Sequence, residues 1–217
     1  MTLLSRPCLM LVTEPSPHLP QLVAEAVAGG VNIVQWRDRR ADGYPPTRTE
    51  RLAMLNASHP ALLLENVGTV FRGIHGVHLP EGRLTVEATR RVLSPGGLVG
   101  RSVHSVEAGC EAAAQGADYL IAGTIFASQS HPNRPPAGLG FLRDVCAAVS
   151  LPVLAIGGVT PQNLELCLEV GAAGVAVLSP IMRATDPQAA AQAYRAALDS
   201  NWKKWNRRNE NDTDNQR

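Results

Sequence analysis

A glycine that ends a helix and is followed at once by a buried apolar run recurs three times, and this repeat most constrains what the chain can fold into. The three copies lie at residues 28–34, 115–121 and 170–177. Glycine readily takes the left-handed conformation that ends many helices, and a continuous apolar run is typical of a strand covered on both faces. The repeat therefore predicts alternating strands and helices around a parallel sheet.

Further apolar runs raise the number of predicted strands to eight. They lie at Leu9–Val12, Val31–Trp36, Ala61–Leu64, Gly76–Leu79, Leu98–Ser102, Tyr119–Ala122, Val153–Ile156 and Gly174–Leu178. Helices are predicted at Leu19–Ala28, Pro46–Ser58, Leu84–Leu93, Val106–Gln115, Gly140–Val149, Pro161–Glu169 and Pro187–Leu198, with only a short turn around Val67–Arg72. This order predicts a single-domain α/β fold, a (β/α)8 TIM barrel, over residues 1–200. The alternative is an open doubly wound sheet, which calls for G-x-G-x-x-G where this chain has Thr13-Glu14-Pro15.

Composition argues against some classes of function. The chain has 217 residues, 45% of them hydrophobic, and a formal net charge of +1, so its totals give no argument for a nucleic acid or an anionic membrane as partner. No run of eighteen or more apolar residues occurs, and Glu14 and two prolines come too early for a signal peptide. The four cysteines form no C-x-x-C pair, which fits reduced thiols. We expect a cytoplasmic protein that ends in a polar, disordered tail at residues 201–217, although Trp202 and Trp205 could instead dock on the fold or on a partner.

The segment Gly100–Ser105 follows the fifth predicted strand and precedes a helix. In a barrel, catalytic side chains come from this edge, where strands end and loops begin. Its His104 can exchange protons near neutral pH because the ordinary imidazole pKa is about 6.5. His104 is therefore the candidate acid–base residue, with Ser102 beside it. The alternative is that His104 only caps the following helix or satisfies a carbonyl.

Basic side chains end the second predicted strand. By strand alternation Gln35, Arg37 and Arg39 share one face. If that face is the barrel interior, a guanidinium there needs an anion, and its planar fork suits a phosphate or a carboxylate. We expect all three to bind substrate, although an ion pair of Arg37 with Asp38 or Glu65 is the alternative.

Two further strand ends have the character of a phosphate site. Gly157 and Gly158 end the seventh strand, and Leu178 and Ser179 end the eighth before a short helix. In such barrels phosphates bind to the loops after strands seven and eight, although two ordinary tight turns would look the same. The long loop between Gly123 and Gly140 carries Ser128, Ser130 and His131, and we expect it to clamp substrate.

A metal site is not expected. His78 ends the fourth strand and His75 lies just before it, but no second histidine or carboxylate stands beside them at a ligand spacing. Both histidines are therefore predicted to be structural or solvent-facing.

Seven motifs together resemble a known family. They are Val34-Gln35-Trp36-Arg37, Gly76-Val77-His78-Leu79, Gly100-Arg101-Ser102-Val103-His104-Ser105, Gly116-Ala117-Asp118-Tyr119, the stretch Ile125–Pro132, Ala155-Ile156-Gly157-Gly158-Val159 and the stretch Gly174–Ser179. In this order and at these spacings the chain resembles the thiamine-phosphate synthase / thiazole tautomerase (TenI) superfamily from about Leu9 to Leu198. The resemblance implies a (β/α)8 barrel that binds a thiazole phosphate near Gly157, Gly158 and Ser179. It also implies that the barrel can pair as a homodimer.

The two branches of this superfamily differ in chemistry. The synthase couples a pyrimidine diphosphate to the thiazole phosphate with Mg²⁺, and its pattern has acidic ligands and lysines where this chain has Asn66, Arg83, Arg39 and His131. An amide is a weaker ligand for a hard cation than a carboxylate, and arginine repels the metal, although Glu65 or Glu81 could compensate. The tautomerase needs no cofactor and moves one proton to aromatise a carboxylated thiazole phosphate.

The resemblance is therefore taken to imply a thiazole tautomerase, an isomerase of thiamine biosynthesis. His104 carries over as its proton-transfer residue, and Arg37 would hold the substrate's carboxylate or phosphate. One alternative is a thiamine-phosphate synthase with altered Mg²⁺ ligands. The other is a non-catalytic barrel that only binds a thiamine-pathway phosphate.

Overall fold

The computed structural model is a closed barrel of eight parallel strands in sequence order. It describes residue 4 and residues 7–37, 46–66, 73–82, 84–128 and 135–214, with side chains as far as Lys204. The strands are β1 Cys8–Val12, β2 Ile33–Trp36, β3 Leu62–Asn66, β4 Gly76–Leu79, β5 Leu98–Val103, β6 Tyr119–Gly123, β7 Val153–Ile156 and β8 Gly174–Val177. The helices are α1 Leu19–Ala28, α2 Arg48–Ser58, α3 Val86–Val92, α4 Val106–Ala114, α5 Gly138–Ala148, α6 Leu164–Glu169, α7 Ser179–Met182 and α8 Pro187–Asp214. All eight predicted strands and the (β/α)8 barrel are confirmed, and the open-sheet alternative is wrong.

Strand alternation divides the apolar residues into two cores. Residues such as Met10 and Ile121 point into the barrel, where they pack with Ile33, Leu64 and Leu154. Their neighbours along each strand point outward and pack under the helices, among them Leu11, Val34, Leu63, Val99 and Leu120. Both faces of each strand are thus buried, which is why the strands appear in the sequence as unbroken apolar runs. Inward-facing residues at the carboxyl ends of the strands reach the mouth of the barrel.

The sequence predicts the start of the last helix correctly but the start of α6 wrongly. The pair Asp186-Pro187 predicts a helix start, with an N-cap residue followed by proline, and Asp186 Oδ1 does accept a hydrogen bond of 2.8 Å from Ala189 N at the start of α8. The Thr160-Pro161 pair also predicts a helix start, yet α6 begins only at Leu164. The reason is a turn in which Thr160 N donates to Asn163 Oδ1 at 2.8 Å and Asn163 N donates to Thr160 O at 3.2 Å.

The last helix is longer than its prediction. The sequence predicts that it ends at Leu198 and that residues 201–217 are disordered, whereas α8 continues to Asp214. Contacts with the barrel support the first turn of this extension: Trp202 packs against the outer core, and Lys204 Nζ lies 3.7 Å from Glu165 Oε1. The contact of Trp202 with the outer core agrees with the alternative that this residue docks on the fold. In the described part of the chain, no helix is both long and apolar enough to span a membrane.

Candidate functional site

The mouth of the barrel holds a cavity of about 870 Å³, large enough for a substrate of drug-like size or more. It lies at the carboxyl ends of the strands, where sites occur in this fold. Three predicted site residues, Arg39, Ser130 and His131, lie outside the described residues. The other predicted site residues all line the cavity: Gln35, Arg37, Ser102, His104, Ser128, Gly157, Gly158, Leu178 and Ser179.

One wall of the cavity is main chain from the loop after β7. Gly157 and Gly158 have φ values of +96° and +63°, which side-chain-bearing residues rarely adopt. Phe126 N donates to Gly157 O at 2.9 Å, and Asn163 Nδ2 donates to Gly158 O at 3.0 Å. A Cβ atom on Gly158 would overlap the carbonyl oxygen of Ala127. The two glycines thus let a ligand approach the backbone directly, beside Leu178 and Ser179 at the start of α7.

The opposite wall carries polar side chains from β2 and β3. Gln35 is buried and its Nε2 donates to Asn66 Oδ1 at 2.8 Å, which fixes the orientation of both amides. Arg37 follows on the same face, and its backbone N donates to Thr13 Oγ1 at 3.0 Å. Gln35 and Arg37 thus both face the barrel interior and line the cavity.

A second guanidinium lies at the rim. Arg183 follows α7 and donates from Nε to Glu14 Oε1 at 2.9 Å and from Nη2 to Glu14 Oε2 at 3.1 Å. The hydrogen bonding with Arg183 is the main reason that the pKa of Glu14 is below its ordinary value. The charge of Arg37 also lowers this pKa, whereas desolvation of Glu14 raises it. Glu14 therefore sits between two cations at the mouth, and its pairing with Arg183 is not indicated by the sequence.

His104 contacts a carboxylate across the mouth. Its Nδ1 lies against Oε2 of Glu81, which comes from the turn after β4, and both side chains are about one-third exposed. Ser105, not His104, caps α4, because Ser105 Oγ accepts from Ala108 N at 3.1 Å. Among the described residues that line the cavity, Glu81 is the one acidic side chain. Glu65 lies between the inward-facing Leu64 and Asn66, so it faces the helix layer and not the cavity.

A buried chain of hydrogen bonds leads from the barrel interior to the cavity. The Tyr119 hydroxyl lies 3.0 Å from His78 Nδ1, and His78 Nε2 lies 2.8 Å from Ser102 Oγ. Burial, aided by the charge of Arg101, lowers the pKa of His78 to about 3, so the ring is neutral at physiological pH. The prediction that His78 is structural or solvent-facing misses its bond to a cavity residue. Its inward position on β4, shared with Gly76 and Pro80, is the sequence signal that could have placed it there.

The sequence comparisons with known proteins identify one family. Residues 9–181 match the family described as thiamine monophosphate synthase. A thiamine-phosphate synthase from Synechococcus sp. is 38% identical over 88% of this chain, which spans only 56% of that protein's length. One from Methanoculleus marisnigri is 39% identical over 78% of this chain and 83% of its own length. The solved structure of a thiamine phosphate pyrophosphorylase from Pyrococcus furiosus superposes with a TM-score of 0.77 at 29% identity, covering 89% of this chain and 96% of that one.

These relatives correct the functional expectation from the sequence. The predicted thiazole tautomerase, an isomerase, is wrong, because the relatives at 38% and 39% identity are both named thiamine-phosphate synthase. The name favours the alternative, a transferase. His104 is therefore no longer assigned as the proton-transfer residue of a tautomerase, although it does line the cavity.

Proposed function

The chain belongs to the thiamine monophosphate synthase family, and we propose that it couples a hydroxymethylpyrimidine diphosphate to a thiazole phosphate. One observation carries this proposal: a single cavity has two anion-suited walls on opposite sides. In the closed strand order, the polar ends of β2 to β5 lie across the mouth from the loops after β7 and β8. A reaction that joins two phosphorylated molecules needs such an arrangement, whereas a reaction of one phosphate ester needs only one wall.

The thiazole phosphate binds at the loops after β7 and β8 in this proposal. Gly157 and Gly158 open the backbone to the cavity, and Leu178 and Ser179 flank it at the start of α7. Backbone N–H groups in such loops are suited to phosphate oxygens. Ser179 can add a hydroxyl contact from the same wall.

The pyrimidine diphosphate binds on the other wall. Arg37 offers a planar fork of donors that matches diphosphate oxygens. Gln35 and Asn66 hold each other in place beside it, and Ser102 adds a hydroxyl from β5. The diphosphate is then adjacent to the Arg37 guanidinium, which can stabilise it as it leaves.

The reaction forms one bond and breaks one. The thiazole nitrogen attacks the methylene carbon of the pyrimidine, a C–N bond forms, and the C–O bond to the diphosphate breaks with its electron pair leaving on oxygen. Holding both reactants in one cavity converts a bimolecular step into an effectively unimolecular one. Fixed donors such as Arg37 and Ser102 stabilise the charge that develops on the leaving oxygen.

The oxygen donors on this wall also fit a magnesium ion carried in by the substrate. Magnesium in proteins is typically held by one or two carboxylates together with substrate phosphates and water, and the cavity supplies the Glu81 carboxylate and the Asn66 amide oxygen. Among the described residues, no group of three or more His, Cys, Asp or Glu side chains is placed to hold a metal ion. When bound, the ion would neutralise diphosphate charge. The contact with His104 would orient Glu81 for this role.

The partners and the location of the protein are part of the same proposal. Both substrates are small anions, and the near-zero net charge gives no argument for a nucleic acid or a membrane surface. We place the protein in the cytoplasm. Pairing with a second copy of the chain stays a prediction.

Steady-state coupling kinetics on two matched variants test this assignment of the walls. Arg37→Gln should raise KM for the pyrimidine diphosphate by about tenfold or more, because a charge-assisted hydrogen bond is worth about 1.5–3 kcal/mol. Ser179→Ala should raise KM for the thiazole phosphate instead. Arg91→Gln, which removes an exposed guanidinium paired with Glu87 on α3, is the control and should change neither. Equal effects of Arg37→Gln on both substrates would contradict the two-wall assignment.

A further inference from the structure

We propose that Tyr119 and His78, both buried in the barrel interior, are positioning residues that hold the Ser102 hydroxyl as a hydrogen-bond donor to the departing diphosphate. The identity of that acceptor rests on the proposed synthase function. The direction of the hydrogen bonds does not, because it follows from the buried geometry alone.

Three neighbouring strands build the chain of hydrogen bonds. His78 on β4 pairs with Gly100 on β5, and Gly100 pairs with Tyr119 on β6. Gly100 has no side chain, and a Cβ atom there would occupy the place of the Tyr119 ring. The ring can therefore cross over β5 and place its hydroxyl 3.0 Å from His78 Nδ1, with the two ring centroids 5.6 Å apart.

The tyrosine sets the direction of the hydrogen bonds. Tyr119 is fully buried, and among the described residues His78 Nδ1 is the one polar atom bonded to its hydroxyl. If His78 donated from Nδ1, the tyrosine O–H would be buried without an acceptor, which folded proteins avoid. Tyr119 therefore donates, Nδ1 accepts, and the single proton of the ring is on Nε2. A second proton on the ring is excluded by the same geometry, because an imidazolium would donate from Nδ1 and leave the buried tyrosine O–H without an acceptor.

The direction of these hydrogen bonds determines how the Ser102 hydroxyl can bond in the cavity. His78 Nε2–H donates to Ser102 Oγ at 2.8 Å, so the serine cannot donate back to the ring. A serine hydroxyl has one proton and otherwise rotates to suit its surroundings. Because Ser102 Oγ already accepts from His78 Nε2–H, the hydroxyl proton of Ser102 is available to donate to a ligand in the cavity that Ser102 lines. A donor fixed in advance stabilises charge on a leaving oxygen without having to reorient during the reaction.

Nitrogen NMR of histidine-labelled protein tests the direction without any substrate. The His78 resonances are assigned by their loss in His78→Gln. We expect a protonated Nε2 and an unprotonated Nδ1 that do not titrate between about pH 5 and pH 8, the range in which an ordinary histidine changes charge. A proton on Nδ1, or titration within this range, would overturn the proposal.

A double-mutant cycle tests whether the pair acts through Ser102. Tyr119→Phe keeps the ring but frees His78 to adopt the other tautomer, to which Ser102 can donate, so kcat should fall about tenfold while both KM values change little. Ser102→Ala should lower kcat by about 100-fold, the effect of losing a fixed donor. In the Ser102→Ala background, Tyr119→Phe should have no further effect on kcat.

Thr89→Val is the matched control, because it also removes a buried hydroxyl. Thr89 lies on α3, donates to Thr85 O and is not among the residues that line the cavity. It should leave kcat unchanged, and urea unfolding shows whether each variant is folded under the assay conditions. Additive effects in the cycle, or wild-type kcat in Tyr119→Phe, would overturn the positioning role. An inactive wild type would instead contradict the synthase function, and the NMR result would still decide the direction of the hydrogen bonds.

Discussion

Replacing Gly158 by alanine should destabilise the loop after β7, which forms the proposed phosphate-binding wall of the cavity. The loss should exceed the cost of backbone strain alone. A left-handed backbone costs an L-residue about 1–2 kcal/mol, and at φ +63° Gly158 incurs this cost on substitution. The new Cβ also overlaps the carbonyl oxygen of Ala127, which is main chain and cannot rotate away. Moving the loop then weakens the bond from Asn163 Nδ2 to Gly158 O, worth about 0.5–1.5 kcal/mol. We expect Gly158→Ala to lose roughly 2–3 kcal/mol of unfolding free energy.

The matched variant is Gly116→Ala, because Gly116 has φ +89° and a Cβ atom added there would have no neighbouring atom within 4 Å. It shares the backbone strain but lies at the end of α4, away from the cavity, and should lose only about 1–2 kcal/mol. Calorimetric titration with thiazole phosphate should show at least an approximately tenfold weaker Kd for Gly158→Ala and an unchanged Kd for Gly116→Ala. Wild-type affinity in Gly158→Ala would refute the assignment of this loop to the phosphate.

Three further outcomes are expected. Arg37→Lys keeps the charge but loses the bidentate fork, and should retain part of the pyrimidine diphosphate affinity that Arg37→Gln loses, as measured by KM. Glu81→Gln should raise the Mg²⁺ concentration that gives half-maximal coupling rate, and an unchanged Mg²⁺ titration would exclude this carboxylate as a ligand. Because the pKa of Glu14 is lowered in the fold, its pair with Arg183 stabilises the protein above the ordinary carboxyl value of 4.5 and loses this effect as pH falls. Urea unfolding should therefore show Glu14→Gln to be less stable than wild type at neutral pH, with the difference shrinking in acid; a difference that does not depend on pH would contradict this.

The strands of the fold were predictable because each is a short apolar run buried on both faces. The start of α6 was not, because Thr160 and Asn163 satisfy each other in a turn that competes with the helix cap. The first turn of the α8 extension was not predicted either, since it depends on the tertiary contact of Trp202 with the outer core and not on local composition. Local patterns thus predict elements well where burial decides and poorly where particular side-chain contacts decide.

The position of the cavity was predictable from the sequence, but some of its side-chain contacts were not. Strand alternation places Gln35, Arg37 and Ser102 at the mouth, and the glycine pair indicates the phosphate wall. The bond between His78 and Ser102 joins residues 24 apart in sequence and depends on the register of neighbouring strands, which the sequence alone does not specify. The pairing of Glu14 with Arg183, 169 residues apart, is hidden for the same reason.

The choice of reaction was the part that the motifs predicted wrongly. The Gly-Arg-Ser-Val-His-Ser motif made His104 the centre of a tautomerase, and Asn66 and Arg83 were interpreted as loss of Mg²⁺. Magnesium needs only one or two carboxylates when substrate phosphates supply the rest, and the structure places Glu81 on the cavity wall. A departure at individual ligand positions therefore does not by itself exclude the metal-dependent reaction.

The most direct measurement is product formation by the wild-type protein supplied with hydroxymethylpyrimidine diphosphate, thiazole phosphate and Mg²⁺. Thiamine phosphate and inorganic diphosphate should appear together in equal amounts, and neither should form when either substrate is omitted. If both substrates bind in the cavity but no thiamine phosphate forms, the synthase function is wrong and the barrel is a binding protein.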